Sequence, residues 1–114
     1  LVDDSIVRGT TSKTIVRLLR SCGAKRISIA VTCPPIRHPC YYGIDFPDPS
    51  VLVATNKNND EIAQWIGVDE VLYIDTDDLQ TALCSKKLCM GCVKGTYPTP
   101  MRGHQEFTKN RSPQ

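Results

Sequence analysis

Two acidic residues, Asp3 and Asp4, stand directly before the run Ser5-Ile6-Val7-Arg8-Gly9-Thr10-Thr11-Ser12, in which small and hydroxylated residues predominate. Leu1 and Val2 read as the end of a strand, and helical spacing begins after Ser12, so the acids close a strand and the run opens a helix. Free backbone N–H groups at a helix start, together with the positive end of the helix dipole, make a pocket for a phosphate. Thr10, Thr11 and Ser12 add hydroxyl donors, and Gly9 allows the backbone to approach a ligand closely. Asp3 and Asp4 can accept hydrogen bonds from vicinal sugar hydroxyls, directly or through a hard cation such as Mg²⁺. The combination suits a ribose 5-phosphate. The plainer use of the same residues is that Asp3 and Asp4 end a strand while Thr10 to Ser12 cap a helix.

A second chemistry lies in the cysteines. Cys89-Met90-Gly91-Cys92 has a spacing that lets two thiolates bind one metal, and Cys40 lies far from it in sequence. A lone Cys-x-x-Cys is compatible with zinc, with redox chemistry or with neither. Cys22 at a helix end and Cys33 beside a strand read as small buried hydrophobes, and Cys84 is the one further thiol that could make up a missing ligand in a four-thiolate site. His38 and His104 carry no specific signal, and Trp65 reads as core because it shares a helical face with Ile62 and Ile66.

The elements that must position these residues follow from periodicity. After the loop, Ile15, Val16, Leu18 and Leu19 form an apolar stripe with Lys13, Arg17 and Arg20 toward solvent, and Gly23 ends the helix. Residues 26–31 alternate with period two and stop before Pro34-Pro35, a second strand. This is a βαβ unit, which calls for a parallel sheet. Residues 33–49 form a long loop rich in Pro, Gly and aromatic residues, in which Tyr41 and Tyr42 are expected to pack against the domain. Asp48-Pro49 opens a short helix over residues 50–55. A further helix follows Asn59 as cap and ends at Gly67, then comes a buried strand over residues 71–74. Thr76 caps a last helix, with Asp77 and Asp78 at its positive end.

The 114 residues hold one domain at the small end of the usual range. Apolar residues make up 40% and charged residues 23%, with no apolar run of transmembrane length, which fits a globular chain and excludes a membrane-spanning helix. The net charge of +2 is too small to imply a nucleic-acid partner. It is unevenly spread: residues 1–83 carry eight basic against eleven acidic residues, and residues 84–114 carry six against one. Charged residues from Asp3 onward and the lack of an apolar signal stretch point away from an oxidising compartment, so the six cysteines are expected as thiols or metal ligands. A strand at residue 1 suggests a piece of something longer, and residues 103–114 are expected to be disordered.

The string Val2-Asp3-Asp4-Ser5-Ile6-Val7-Arg8-Gly9-Thr10-Thr11-Ser12 resembles the phosphoribosylpyrophosphate (PRPP) loop of type I phosphoribosyltransferases, in the version found in glutamine PRPP amidotransferases. Three further stretches are similar to that branch: the turn Ser21-Cys22-Gly23-Ala24-Lys25-Arg26, the segment Pro34-Pro35-Ile36-Arg37-His38-Pro39-Cys40-Tyr41-Tyr42-Gly43-Ile44-Asp45, and Cys89-Met90-Gly91-Cys92 followed by Gly95-Thr96-Tyr97-Pro98-Thr99. The resemblance covers about residues 1–100, and four ordered motifs are hard to obtain by chance.

The resemblance implies a partial type I phosphoribosyltransferase fold, α/β with a parallel-sheet βαβ unit carrying the PRPP loop, over residues 1–83. A helical, cysteine-bearing extension over residues 84–102 and the tail complete the chain. It implies an amidophosphoribosyltransferase, in which ammonia released from glutamine displaces pyrophosphate from C1 of PRPP to give 5-phosphoribosylamine, the first step of de novo purine synthesis. Asp3 and Asp4 would bind the ribose hydroxyls and the associated Mg²⁺, and Arg8, Gly9, Thr10, Thr11 and Ser12 the 5′-phosphate. No residue here is expected as a covalent catalyst. Cys40, Cys89 and Cys92 would match three of the four ligands of the [4Fe–4S] cluster that some members carry. The glutaminase half and the earlier sheet strands of that family have no counterpart in these residues, so a C-terminal fragment is expected, cytoplasmic or organellar, and homo-oligomeric in its full-length form. Another type I phosphoribosyltransferase, and a non-catalytic phosphate- or metal-binding remnant, are the alternatives.

Overall fold

The computed structural model describes residues 1–44 and 48–101. The expected disordered tail over residues 103–114, Asp45 of the Pro-Cys-Tyr-Tyr segment, and His104 lie outside them.

Three short strands, β1 (Val2–Asp3), β2 (Ser28–Val31) and β3 (Glu70–Tyr73), form a parallel sheet in the order β1-β2-β3. The crossovers are α1 (Thr10–Ser21) between β1 and β2, and α2 (Asn59–Ile66) between β2 and β3. Two short helices come after the sheet, α3 (Thr76–Ala82) and α4 (Gly91–Lys94). The expected parallel βαβ architecture is therefore present.

The core lies between one face of the sheet and the two crossover helices. Val16 of α1, Ile62, Ala63 and Ile66 of α2, and Ile29, Val31 and Val71 of the sheet belong to one buried cluster. On the other face the register places Val2, Ala30 and Leu72 side by side across the three strands. Val2 is 72% and Leu72 53% exposed.

Several details differ from the sequence reading. Leu18, expected in the apolar stripe of α1, is exposed, because two residues along a helix from buried Val16 is about 200° around it. Arg20, expected in solvent, turns back to donate to the carbonyls of Ala24 and Lys25 and to Asp69, 2.8 Å away, which also accepts from the Ile27 N–H. Those two bonds, the backbone one first, hold the Asp69 carboxyl below the usual range, and they tie the end of α1 to the start of β2. Cys22, expected to be buried, is exposed at the C-cap of α1, where Gly23 turns the chain at φ +94°.

Asp48 acts as a cap as expected, accepting from the Ser50 N–H, but it opens a 3-10 turn, Pro49–Val51, and not a helix to residue 55. The cap of α2 is Asn58 instead of Asn59: it accepts from the Glu61 N–H while the Glu61 carboxylate accepts from the Asn58 N–H. The cap of α3 is Asp75 instead of Thr76, because one Asp75 carboxylate oxygen accepts from the N–H groups of both Asp77 and Asp78.

Candidate functional site: a cleft at the carboxyl ends of the strands

In a parallel sheet all strands finish at one edge, and ligands of such folds bind beyond it. Here Asp3 and Asp4 leave β1 at that edge, pinned beside β2 by the Thr32 N–H, which donates to the Asp3 carbonyl at 3.1 Å. The chain then runs through the loop into α1. Asp3, Asp4 and residues 8–12 together line one open cleft of about 760 Å³, a volume in the range of small-molecule sites.

Local geometry explains why this loop can receive an anion. Gly9 is the N-cap of α1 at φ +71°, in the left-handed region that side chains avoid. No side chain caps this helix, so its first N–H groups are free toward the cleft. Thr10 and Thr11 are exposed in the first turn, whereas Ser12 is only 3% exposed. Across the cleft, Asp3 accepts from the Asp4 N–H and Asp4 from the Ser5 hydroxyl, each through one oxygen. Among the described residues the single ion pair is Arg20–Asp69, so neither Asp3 nor Asp4 is neutralised by a basic side chain. Two such carboxylates are the hard oxygen donors that Mg²⁺ takes alongside ligand oxygens.

Six lining residues were not singled out from the sequence as site residues: Ser5, Ile6 and Val7 within the loop itself, and Cys33, Ile36 and Ile44 beyond it. Cys33 comes soon after β2, so the strand-end rule was a usable signal for it. Ile36 and Ile44 come from the long loop, and nothing in their local sequence marks them.

The second group of motifs also converges. The N–H groups of Arg37 and His38 both donate to the Cys92 carbonyl at 2.9 Å. The Tyr97 hydroxyl donates to the Pro39 carbonyl at 2.7 Å, and its ring lies 5.0 Å from that of Tyr41. Tyr42 and Thr99 share a hydroxyl–hydroxyl bond of 2.6 Å. The Pro-Cys-Tyr-Tyr segment and the Gly-Thr-Tyr-Pro-Thr segment are thus one packed unit, with Gly91 leaving room for the Tyr97 ring. Burial, and next the neighbouring Tyr41, push Tyr97 up to about 12.

Cys40 and Cys92 pack with Cys33 on the small cluster of Ile36 and Leu52. Burial pushes the Cys92 thiol up, and charge on Cys40 or Cys89 would raise it further. The three thiols expected to share an iron–sulfur cluster are therefore neighbours. Among the described residues no group of three or more His, Cys, Asp or Glu side chains is gathered closely enough to hold a metal ion.

No family model matches the chain. A carboxylate-ended first strand, a parallel βαβ sheet and an open helix N-terminus at its carboxyl edge define a partial type I phosphoribosyltransferase fold, and solved structures of that fold superpose on it. The Bacillus subtilis glutamine PRPP amidotransferase, solved with ADP and GMP, matches with a TM-score of 0.80 and 40% identity, covering 88% of this chain and 23% of that one. Among curated proteins, the amidophosphoribosyltransferase of Methanocaldococcus jannaschii is 50% identical over 99 residues, 87% of this chain and 21% of that protein. The chloroplastic enzyme of Glycine max is 45% identical over 100 residues, 86% of this chain and 18% of that protein. The chain is a homologue of the amidophosphoribosyltransferases and matches their C-terminal part. It spans about a fifth of the length of these relatives.

Proposed function

We propose that this chain supplies the ribose 5-phosphate half of a PRPP site in an amidophosphoribosyltransferase. The observation that carries the reading is the meeting, in one cleft, of two unneutralised carboxylates and the uncapped N-terminus of α1. In this reading the N–H groups and hydroxyls of residues 10–12, with Arg8 and Gly9, hold the 5-phosphate, and Asp3 and Asp4 hold the vicinal ribose hydroxyls. Asp3 and Asp4 would hold Mg²⁺, which would supply charge neutralisation for the departing pyrophosphate. The carboxylates themselves face the sugar, where they stabilise positive charge that develops at C1 as pyrophosphate leaves. Attack by ammonia then needs positioning and no covalent nucleophile from the protein.

Within the whole enzyme the substrates are PRPP and glutamine-derived ammonia, the product is 5-phosphoribosylamine, and the working form is a homo-oligomer without nucleic-acid or membrane partners. A cytoplasmic or organellar location is part of this reading, and one relative, the Glycine max protein, is named chloroplastic. Among the described residues no helix is long and apolar enough to cross a membrane. An iron–sulfur cluster on Cys40, Cys89 and Cys92 would need a fourth ligand, and the ribose 5-phosphate reading does not depend on it.

The test is calorimetric titration of the chain with PRPP, with and without Mg²⁺. Asp3→Asn combined with Asp4→Asn is expected to remove the Mg²⁺-dependent part of binding, weakening it about a hundredfold, the loss expected when two charge-assisted bonds go. Mg²⁺-dependent binding that is unchanged in the double variant would overturn the assignment.

A further inference from the structure

Trp65 is the sole tryptophan of the chain, and it lies on α2, outside the cleft, against the underside of the loop. Its six-membered ring fills the space beneath Gly9: a Cβ at residue 9 would stand 2.6 Å from Trp65 Cζ3. The face of the same side chain carries the Lys13 ammonium, 3.2 Å from the ring centroid. Lys13 is in turn bound to Gly9, its N–H donating to the Gly9 carbonyl at 3.0 Å. Lys13, which the sequence places in solvent, is therefore half-buried, and Trp65, which the sequence places in the core, packs on the edge of that core.

We propose that Trp65 is a positioning residue for the phosphate, acting through Gly9 and Lys13. The inference rests on the ribose 5-phosphate reading of the loop. Glycine by itself ranges over both signs of φ, so an N-cap glycine with no side-chain cap does not define where the first N–H groups point. The rigid indole, anchored by α2 in the core, removes that freedom by closing the space on one side of Gly9. A cation in the first turn of a helix is opposed by the helix dipole, and the ring face offsets that cost. The result is a positive charge held one turn below the site where an anion is expected, and a loop that is already set before the ligand arrives.

Ribose 5-phosphate, titrated into the intact chain by calorimetry and by tryptophan emission, tests this. In the native chain the emission is expected to change and to saturate with the calorimetric affinity, because the one tryptophan touches the loop. Trp65→Ala is expected to weaken binding about tenfold, and Trp65→Phe, which restores a ring, about threefold or less. Ile66→Val is the control, being the next residue on α2 and in the core, and it is expected to lower stability without changing affinity. Native affinity in a folded Trp65→Ala chain, or an equal loss in Ile66→Val, would overturn the inference while leaving the ribose 5-phosphate reading intact. Absence of binding by the native chain would overturn that reading, and the inference with it.

Discussion

Cys33 and Cys92 sit half-buried, and burial, more than any neighbouring charge, pushes both thiols up. The thiolate is the reactive form, so both should react slowly, while Cys22, Cys84 and Cys89 lie exposed. Iodoacetamide at about pH 8 should therefore modify Cys22, Cys84 and Cys89 well before Cys33 and Cys92. Peptide mass spectrometry over a time course measures this, and Cys92 reacting as fast as Cys89 would contradict it. At the same scale, the acidic pair and the loop hydroxyls were legible in sequence because they are contiguous, and contiguity alone puts them at one strand end. The Lys13–Trp65 contact was not legible, since each residue by itself reads as a solvent cation and a core aromatic. Only their approach over 52 positions gives them a shared place beneath Gly9.

For α1, α2 and α3, type and order came from the periodicity and the errors fell at the ends, whereas the helix expected over residues 50–55 is only the 3-10 turn Pro49–Val51. Two adjacent asparagines, Asn58 and Asn59, are both good caps, and the choice is made by Glu61, which stands three residues after Asn58 and closes the reciprocal pair. Asn58→Ala should cost about 1 kcal/mol, the usual loss of an N-cap. Asn59→Ala should stay within about 0.5 kcal/mol, as a surface change. Urea denaturation of the two variants decides, and the reverse order would return the cap to Asn59. The same spacing is present in the sequence, so this cap was legible there. The choice of Asp75 over Thr76 was not, because it depends on one carboxylate oxygen reaching two N–H groups at 2.8 Å.

At the scale of the molecule the sheet has one packed and one open face. Parallel sheets are ordinarily covered on both, so the row of Val2, Ala30 and Leu72 is an apolar surface of a kind that this architecture usually buries. Leu72→Lys should reduce binding of a hydrophobic dye to the chain while changing stability by less than about 0.5 kcal/mol, since little is lost from a core. Ile29→Ala, on the packed face and fully buried, should cost about 3 kcal/mol. A large loss of stability in Leu72→Lys would show that the open face is covered within this chain.

The sequence alone determined the features that short-range physics controls. The strand, loop and helix that carry Asp3, Asp4 and residues 8–12 are set by neighbouring residues, and so is the parallel crossover, which chain geometry dictates. Tertiary structure decided which distant groups meet. It brought Trp65 under Gly9, Tyr97 onto Pro39 and Tyr41, and Cys33 into the cleft, and it left Leu18 and Cys22 in solvent. Helical phase and loop path decide these contacts. Both depend on how the faces of the elements are packed together, which no window of adjacent residues contains.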